Sequence, residues 1–289
     1  MMLSSVTLSI VALVAKLAGA HLILPLLIFI RFAAPAVFLF LYIALSEKSL
    51  IRKQPIHIHL VRAICVVLSQ YAFFFYLIHS NLFNATLLLM TSPFFIPVLE
   101  RLFQKEKMDF QHAANIAIGF IGVACILKPT HGLINWYAVI GLSAGFFNAC
   151  SQILFYRMSK QYNTFVNMFF LYLFTSIIAL FVLLLFYGST NWQQESLALL
   201  HWHEAFLLSL LGIFVIVNQF FRSKAYEDSK RPLYLTPVLF LSVFISGIFD
   251  WIFFNQTPHA NIWIGAVLII TNAAVMTVLR AHEDKVIHH

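Results

Sequence analysis

Four ionisable side chains interrupt long apolar runs of this sequence: Lys16, Arg31, Glu100 and Asp250. A charged group within a lipid bilayer is costly, so such a residue usually faces a cavity or an opposite charge. Asp250 lies near the end of an otherwise apolar run, and Lys16 and Arg31 are the basic residues within such runs. We therefore expect Asp250 to pair with one of these two cations. The alternative is that its carboxylate exchanges protons and couples the molecule to a proton gradient.

The other three ionisable residues each allow two interpretations. Arg31 could join helices through backbone carbonyls or an acid, or it could contact a small molecule directly. Lys16 lies close to the end of a short run, from which its ammonium group could reach the lipid headgroups. Glu100 precedes Arg101, and the two could form an ion pair at the membrane surface. We assign Lys16 and Arg31 to a candidate binding site, and Asp250 and Glu100 to coupling or gating.

Neutral polar side chains also occur inside the apolar runs. Asn148 and Gln152 are one helical turn apart and therefore share a face. A hydrogen bond between helices would explain any one such residue. As a set drawn from several runs, however, they predict a cavity lined with polar groups. Together with Lys16 and Arg31, the candidate substrate-binding residues are Gln70, Tyr71, Asn84, Thr91, Asn148, Gln152, Asn218 and Gln219.

Motifs for catalysis or for a cofactor are missing from the sequence. It has no glycine-rich phosphate loop, so we expect no ATP-driven pump. His201 and His203 have a spacing that could bind a metal, but two ligands are too few for a site. We therefore expect neither an enzyme nor a bound cofactor or metal. An enzyme acting on lipid is the alternative from another class, and it would need an acid, histidine or metal cluster at one membrane face.

The composition requires a membrane. The chain of 289 residues is 61% hydrophobic and only 10% charged, and its mean hydropathy is +0.88. Soluble domains carry about 25% charged residues. A span needs about 20 apolar residues, and lipid leaves the backbone only helical partners. The sequence thus predicts an all-α integral membrane protein with ten transmembrane helices, near residues 3–19, 23–45, 60–79, 82–103, 111–128, 134–156, 165–187, 204–222, 233–254 and 260–280.

Basic residues indicate how these spans are oriented. If the N-terminus is cytoplasmic, fifteen of the 18 Lys and Arg residues fall on cytoplasmic connections, Arg62 and Arg222 among them, and only Lys128 falls outside. Such a bias is the positive-inside pattern of membrane proteins. Both termini are therefore expected in the cytoplasm. The net charge of +7 reflects this orientation, and we expect no nucleic-acid partner.

The chain also repeats itself. An apolar run with Ser92-Pro93, a polar break and a second apolar run recur later, where Thr236-Pro237 stands in the first run. We expect two five-helix repeats, residues 1–130 and 131–289. Because five is odd, the second repeat must enter the membrane from the opposite side, as in inverted-repeat transporters. Pro93 and Pro237 are expected to bend their spans around the cavity.

Several short motifs recur in an order typical of one family. They are Ser92-Pro93, Glu106, Gly119 to Val123, Lys128-Pro129, Ala225-Tyr226, Pro237, Asn255 to Pro258 and Ile264 to Ala266. By these motifs nearly the whole chain resembles the EamA-like ten-span families of the drug/metabolite transporter superfamily. The resemblance implies that the first, third, fourth, sixth, eighth and ninth spans surround a transport path. The chain departs from the family pattern at Val11-Ala12, at Pro237 to Phe240 and at Asn255-Gln256.

These observations predict a secondary transporter of small polar or amphipathic metabolites, such as amino acids or their derivatives, that works by alternating access. The layout is similar to that of S-adenosylmethionine uptake carriers, which gives a more specific alternative. A membrane scaffold without transport would not need polar residues at membrane depth in both halves. We expect the protein in a bacterial inner membrane, as a monomer or homodimer. Its partners would be lipid, a small-molecule substrate and, as a candidate coupling ion, the proton.

Overall fold

The regular structure of the described residues is entirely helical. The computed structural model describes residues 2–18, 22–46, 55–104, 136–187, 202–228 and 236–255, and single positions between 114 and 121 and between 263 and 278. No strand occurs within these ranges. The helices are α1 (Met2–Ala18), α2 (Leu24–Ser46), α3 (Ile56–Ile78), α4 (Leu82–Leu89), α5 (Ser92–Gln104), α6 (Trp136–Gln161), α7 (Thr164–Tyr187), α8 (Trp202–Asp228), α9 (Thr236–Leu239) and α10 (Leu241–Phe254).

Six helical stretches in the described part are long and apolar enough to cross a membrane. Two shorter apolar helices, α1 and α10, accompany them. The predicted spans 111–128 and 260–280 lie mostly outside the described residues, as do Glu106, Lys128 and Gly265. The long stretches are Leu24–Leu45, Ile56–Ile78, Leu82–Glu100, Trp136–Gln161, Thr164–Leu185 and Phe206–Asp228.

Large apolar side chains cover the outside of the molecule, whereas many polar side chains are buried. Leu45, for example, is 87% exposed, and Trp251 is 62% exposed. In water this arrangement would be unfavourable, but in a bilayer the surrounding solvent is itself apolar. Ser9 and Asn167, by contrast, are fully buried. This is an integral membrane protein with a partly polar interior.

The predicted span 82–103 is broken into α4 and α5. The break lies at Met90 and Thr91, just before Pro93. Proline has no N–H group and cannot continue the helical hydrogen-bond ladder, so the chain turns before it. The Thr91 hydroxyl donates to the Leu88 carbonyl at 2.7 Å, which satisfies one of the carbonyls that the break releases. Pro93 therefore lies at a bend, as the sequence suggested.

Pro237 lies close to a second break. It is the second described residue of α9, and residues 229–235 before this helix are outside the described part of the chain. The break between α9 and α10 falls three residues later, at Phe240. There the Ser242 hydroxyl donates to the Leu239 carbonyl at 2.6 Å. The span of Pro237 is therefore interrupted close to this proline, and a kink caused by Pro237 stays a prediction.

Helices of residues 2–104 contact helices of residues 136–255 in matched pairs. α1 packs against α8, and α3 packs against α6 in the same way. α2 packs against α7. α3 also packs against α7, and the matching contact in the exchanged halves is that of α8 with α2. α1 also packs against α10, as α6 does against α5, and α4 packs against α10. Most of these contacts therefore recur when the two halves of the chain are exchanged, whereas the contact of α6 with α8 has no counterpart of similar extent between α1 and α3.

Two glycines allow α6 to approach the break between α4 and α5. A Cβ atom on Gly145 would lie 2.7 Å from the Leu88 carbonyl oxygen, and one on Gly141 would lie 2.6 Å from a Leu88 methyl carbon. The two glycines are four residues apart, the small-residue spacing that brings membrane helices close together. This spacing was available in the sequence and was missed there.

Candidate functional site

A polar cavity of about 90 Å³ lies between the two halves of the chain. Side chains from α1, α2, α3, α4, α6, α7 and α8 surround it. We call it the polar cavity throughout. Its lining consists of Leu8, Val11, Arg31, Phe32, Arg62, Val66, Ser69, Gln70, Leu89, Met90, Asn148, Ser151, Gln152, Phe155, Leu171, Tyr172, Val215, Asn218, Gln219 and Arg222.

Most of the candidate binding residues meet at this cavity. They come from four different helices, α2, α3, α6 and α8. If these polar groups did not meet at a cavity, they would face lipid or apolar side chains. The members that line the polar cavity are Arg31, Gln70, Asn148, Gln152, Asn218 and Gln219. The structure thus brings together residues that are as much as 188 positions apart in the sequence.

The other four candidates lie elsewhere. Lys16 lines a second cavity, described below. Tyr71 packs against the apolar core. Asn84 is in the first turn of α4, where its backbone N–H donates to the Asn81 side chain at 2.9 Å. Thr91 is fully buried at the break after α4. Tyr71, Asn84 and Thr91 line neither of the two cavities, so the structure does not bring them together with the other six, and their binding role stays a prediction.

Three arginines line the polar cavity, and for two of them, Arg62 and Arg222, the sequence had predicted a place in cytoplasmic connections. Arg62 lies within α3 and is 1% exposed, and Arg222 lies within α8. Both stand at the ends of the predicted spans 60–79 and 204–222, but α3 already begins at Ile56 and α8 continues to Asp228, so each residue lies more than a turn inside its helix. Helical spacing was the signal that could have found them, because Arg222 follows Asn218 by one turn and Arg62 precedes Gln70 by about two turns.

The guanidinium groups are held largely by aromatic rings. Arg62 lies 4.0 Å from the centre of the Phe155 ring, Arg31 5.1 Å from that of Phe74, and Arg222 5.7 Å from that of Tyr226. Such contacts favour a cation and leave its N–H groups available. The Nη1 atom of Arg62 also donates to the Asn167 side chain at 2.8 Å.

Several guanidinium nitrogens have no acceptor. Within the described part of the chain, the buried Nε and Nη1 atoms of Arg31, the Nε atom of Arg62, and the Nε and Nη2 atoms of Arg222 lack a hydrogen-bond partner. No carboxylate lines the cavity among the described residues. The cavity is therefore positively charged and has unused donors.

Amide groups connect the cavity wall to the break between α4 and α5. The Ser92 hydroxyl accepts hydrogen bonds from Gln152 at 2.9 Å and from Asn148 at 3.3 Å. The Gln152 carbonyl oxygen in turn accepts from the Tyr226 hydroxyl at 2.9 Å. A shift of α5 would thus be transmitted to residues that line the cavity.

α1 makes the corresponding contact with the other break. Ser5 donates to the Val238 carbonyl at 2.7 Å, and Ser9 donates to the Ser242 carbonyl at 2.9 Å. Ser5 and Ser9 are one helical turn apart, as are Asn148 and Gln152 on α6. The first helix of each half therefore holds the broken helix of the other half through two polar side chains.

Asp250 pairs with Lys16, one of the two cations expected for it. Its Oδ1 atom lies 3.1 Å from the Lys16 Nζ atom. The carboxylate also accepts the backbone N–H groups of Leu82 at 3.2 Å and Phe83 at 2.6 Å. Asp250 is therefore bound to the N-terminal end of α4, where unpaired N–H groups favour a negative charge. Glu100, on α5, lines neither cavity.

The second cavity has a volume of about 340 Å³ and is mostly apolar. It lies one helical turn beyond the polar cavity along α1, α2 and α3. On α1, Ala15 lies one turn from Val11, and on α3, Phe74 lies one turn from Gln70. Phe74 is 2% exposed, lines this second cavity and contacts Arg31, which lines the polar cavity. The lining is Ala15, Lys16, Leu22, Leu24, Leu27, Phe74, Leu77, Ile78, Ser80 and Phe254.

Comparison with known proteins shows relatives of one kind. The chain is 24% identical to the pseudopaline exporter of Pseudomonas aeruginosa, over 93% of this chain and 91% of the relative. It is 31% identical to a riboflavin transporter of Rhizobium johnstonii, over 74% and 67% respectively. It is 24% identical to an S-adenosylmethionine uptake transporter of Rickettsia prowazekii, over 93% and 88%.

A solved crystal structure has the same fold. It shares 17% identity with this chain, with a TM-score of 0.65 and coverage of 96% of each chain. The relatives are transporters rather than enzymes, so the alternative of a lipid-modifying enzyme is set aside. The EamA-like transporter family matches residues 1–128 and 135–278. Since this match covers nearly the whole chain, the protein belongs to the EamA-like transporter family.

Proposed function

We propose that this protein is a secondary transporter that carries a small polar metabolite, an amino acid or a related compound, by alternating access. The observation that carries the proposal is the pair of cavities on shared helices, with Phe74 lining the second cavity and touching Arg31 of the polar cavity. The polar cavity holds buried charges and amides, whereas the second cavity is lined mainly by apolar side chains, with Lys16 and Ser80 as its polar members. A substrate held in the first would pass to the second when the helices around Phe74 move apart.

The proposal includes ten spans in two inverted five-helix repeats, 1–130 and 131–289. The matched contacts between the halves support it, because they are the contacts that a two-fold exchange would produce. The similar breaks after Leu89 and Leu239 support it as well. Five spans in each half would place this two-fold axis in the membrane plane, around a central site.

The orientation follows from the basic residues. We place the protein in a bacterial inner membrane with both termini in the cytoplasm. Arg62 and Arg222 do not bear on the orientation, because they lie within helices and line the polar cavity. The remaining basic residues in connections still favour the cytoplasmic side. In this orientation the second cavity lies toward the outside, and the polar cavity lies toward the cytoplasm.

Uptake into proteoliposomes tests the proposal. Vesicles with purified protein are incubated with a bacterial metabolite extract, and their contents are measured by mass spectrometry. We expect a small set of polar metabolites to enter vesicles with the native protein. No enrichment over empty vesicles, with the protein shown to be folded, would contradict the proposal.

A variant of Gln70 tests the role of the polar cavity in this assay. It lines the polar cavity, and its buried Oε1 atom has no partner in the described part of the chain. Gln70→Leu should therefore reduce uptake roughly tenfold, the effect of one lost substrate hydrogen bond. Gln161→Leu makes the same change at an exposed position near the end of α6 and should leave uptake unchanged.

Uptake of S-adenosylmethionine is the more specific candidate. The relative from Rickettsia prowazekii, an S-adenosylmethionine uptake transporter, aligns with 93% of this chain, which supports including the compound. Radiolabelled S-adenosylmethionine in the same vesicles distinguishes this candidate from the general proposal.

A further inference from the structure

We propose that the polar cavity binds an organic oxyanion, the carboxylate or phosphate group of the transported molecule, between Arg31, Arg62 and Arg222. This inference rests on the proposed transport function and specifies its substrate class. It starts from the charge of the cavity. Three guanidinium groups line a space of about 90 Å³, and no acidic side chain among the described residues shares that lining.

Such a cluster needs a compensating charge. Arg31 is 8% exposed and Arg62 is 1% exposed, so water does little to screen their repulsion. Buried charges are otherwise paired with an opposite charge. Asp250 does not supply this charge, because its carboxylate is already bound to Lys16 and to two N–H groups of α4. An anionic ligand would complete the balance.

The guanidinium N–H groups that lack an acceptor in the described part of the chain also favour an anion as the ligand. The five buried guanidinium nitrogens without partners are donors, and arginine has no acceptor atom. A carboxylate or phosphate oxygen accepts several such bonds at once, and arginine matches this geometry through paired donors. The opposite charge, a cationic group, would find only repulsion at these three residues.

The remaining groups suggest what accompanies the anion. The buried Oε1 atom of Gln70 has no donor in the described part of the chain, so it can accept from an amine or hydroxyl of the same ligand. The volume is well below the roughly 300 Å³ of ordinary ligand sites, which fits a small charged group better than a bulky one.

The arginines also lie on both halves of the chain. Arg31 and Arg62 belong to α2 and α3, whereas Arg222 belongs to α8. An anion between them would draw the two halves together, and its departure would leave three cations to repel one another. Binding would therefore favour a closed cavity, which is what a carrier requires of its substrate.

Thermal unfolding of the purified protein tests the proposal, because a ligand of the folded state raises the unfolding temperature. The probes are a panel of small carboxylates (acetate, pyruvate, succinate, glutamate) with their uncharged amides. Glycerol 3-phosphate and tetramethylammonium are added at matched ionic strength. We expect at least one oxyanion to raise the unfolding temperature, with no effect of its neutral counterpart or of the cation. The carboxylate and phosphate arms show which group is bound.

Arginine variants locate the effect. Arg31→Gln, Arg62→Gln and Arg222→Gln should each weaken the apparent affinity roughly ten- to a hundredfold, the effect of losing bonds to a charged group. Arg157→Gln is the matched control, because Arg157 is exposed on α6, outside the cavity. If a cavity variant does not fold, the comparison of each acid with its amide on the native protein still decides.

The outcomes separate this inference from the proposed function. Stabilisation by amides or by tetramethylammonium as strong as that by oxyanions overturns the inference, and so does an oxyanion effect that all three variants retain. If vesicles accumulate only neutral or cationic metabolites, the protein is a transporter but the substrate class is wrong. If vesicles accumulate nothing, the proposed function itself fails.

Discussion

The Asp250 carboxylate has three partners, and two of them are backbone N–H groups at the start of α4. It closes the end of this helix and neutralises Lys16, which is 15% exposed. Asp250→Asn keeps the shape but leaves the Lys16 cation unpaired. We expect a loss of about 3–5 kcal/mol in the free energy of unfolding, measured by thermal or denaturant unfolding.

Asp228→Asn is the control, since Asp228 is exposed at the end of α8 and should tolerate the change. Adding Lys16→Met to Asp250→Asn should recover part of the lost stability. The contradicting result would be an Asp250→Asn variant with native stability and a transport rate that no longer depends on pH. That result would make Asp250 a proton-coupling residue and would contradict the structural role.

At the scale of single residues, the sequence predicted the partner of Asp250 for a clear physical reason. Few charges lie inside apolar runs, so the pairing of Asp250 with Lys16 had few alternatives. Arg62 and Arg222 were missed because a basic residue near a span end is usually a loop residue. In the structure α3 and α8 continue past both residues, and both line the polar cavity.

Among the elements, the contact of α6 with the break after α4 depends on Gly145. A methyl group there would meet the Leu88 carbonyl oxygen, which belongs to the backbone and cannot turn away. We expect Gly145→Ala to reduce the stability to unfolding by about 1–3 kcal/mol through overpacking. At Gly212 the nearest atom would lie 3.4 Å away, so Gly212→Ala is the matched control. Equal unfolding temperatures for the two variants would contradict this account.

We infer that Phe74 on α3 is the barrier between the two cavities, because it lines the second one and contacts Arg31 of the polar cavity. Phe74→Ala should join them, so that a cysteine placed at Ser69 in the polar cavity reacts with an impermeant maleimide from the outer side. Phe75→Ala is the control, because that ring contacts His79 and Tyr137 and lines neither cavity. Unchanged labelling in Phe74→Ala would show that another group forms the barrier.

The helices themselves were largely predictable, because length and hydropathy decide which segments can span a bilayer. The breaks were harder. Pro93 marked the first one, since a proline inside a span interrupts the ladder. Pro237 stands three residues before the second break, at Phe240, so a proline indicates the region of a break but not its exact position.

At the scale of the whole molecule, the two halves enclose polar groups in an apolar shell. The repeat was visible in the sequence as a recurring order of motifs. The cavity was not, because it depends on which helices from the two halves meet, and no local pattern specifies those contacts. Matched contacts between the halves are consistent with a molecule that opens first to one side and then to the other.

Cysteine accessibility from the two sides of the membrane tests this central claim most directly. In a background without Cys65, Cys125 and Cys150, single cysteines replace Ser69 in the polar cavity and Ser80 in the second cavity. We expect an impermeant maleimide to reach Ser80→Cys only from outside and Ser69→Cys only from the cytoplasmic side. Added substrate should change the two labelling rates in opposite directions. Labelling of both cysteines from the same side in the protein with Phe74 intact, at rates that substrate does not change, would contradict alternating access.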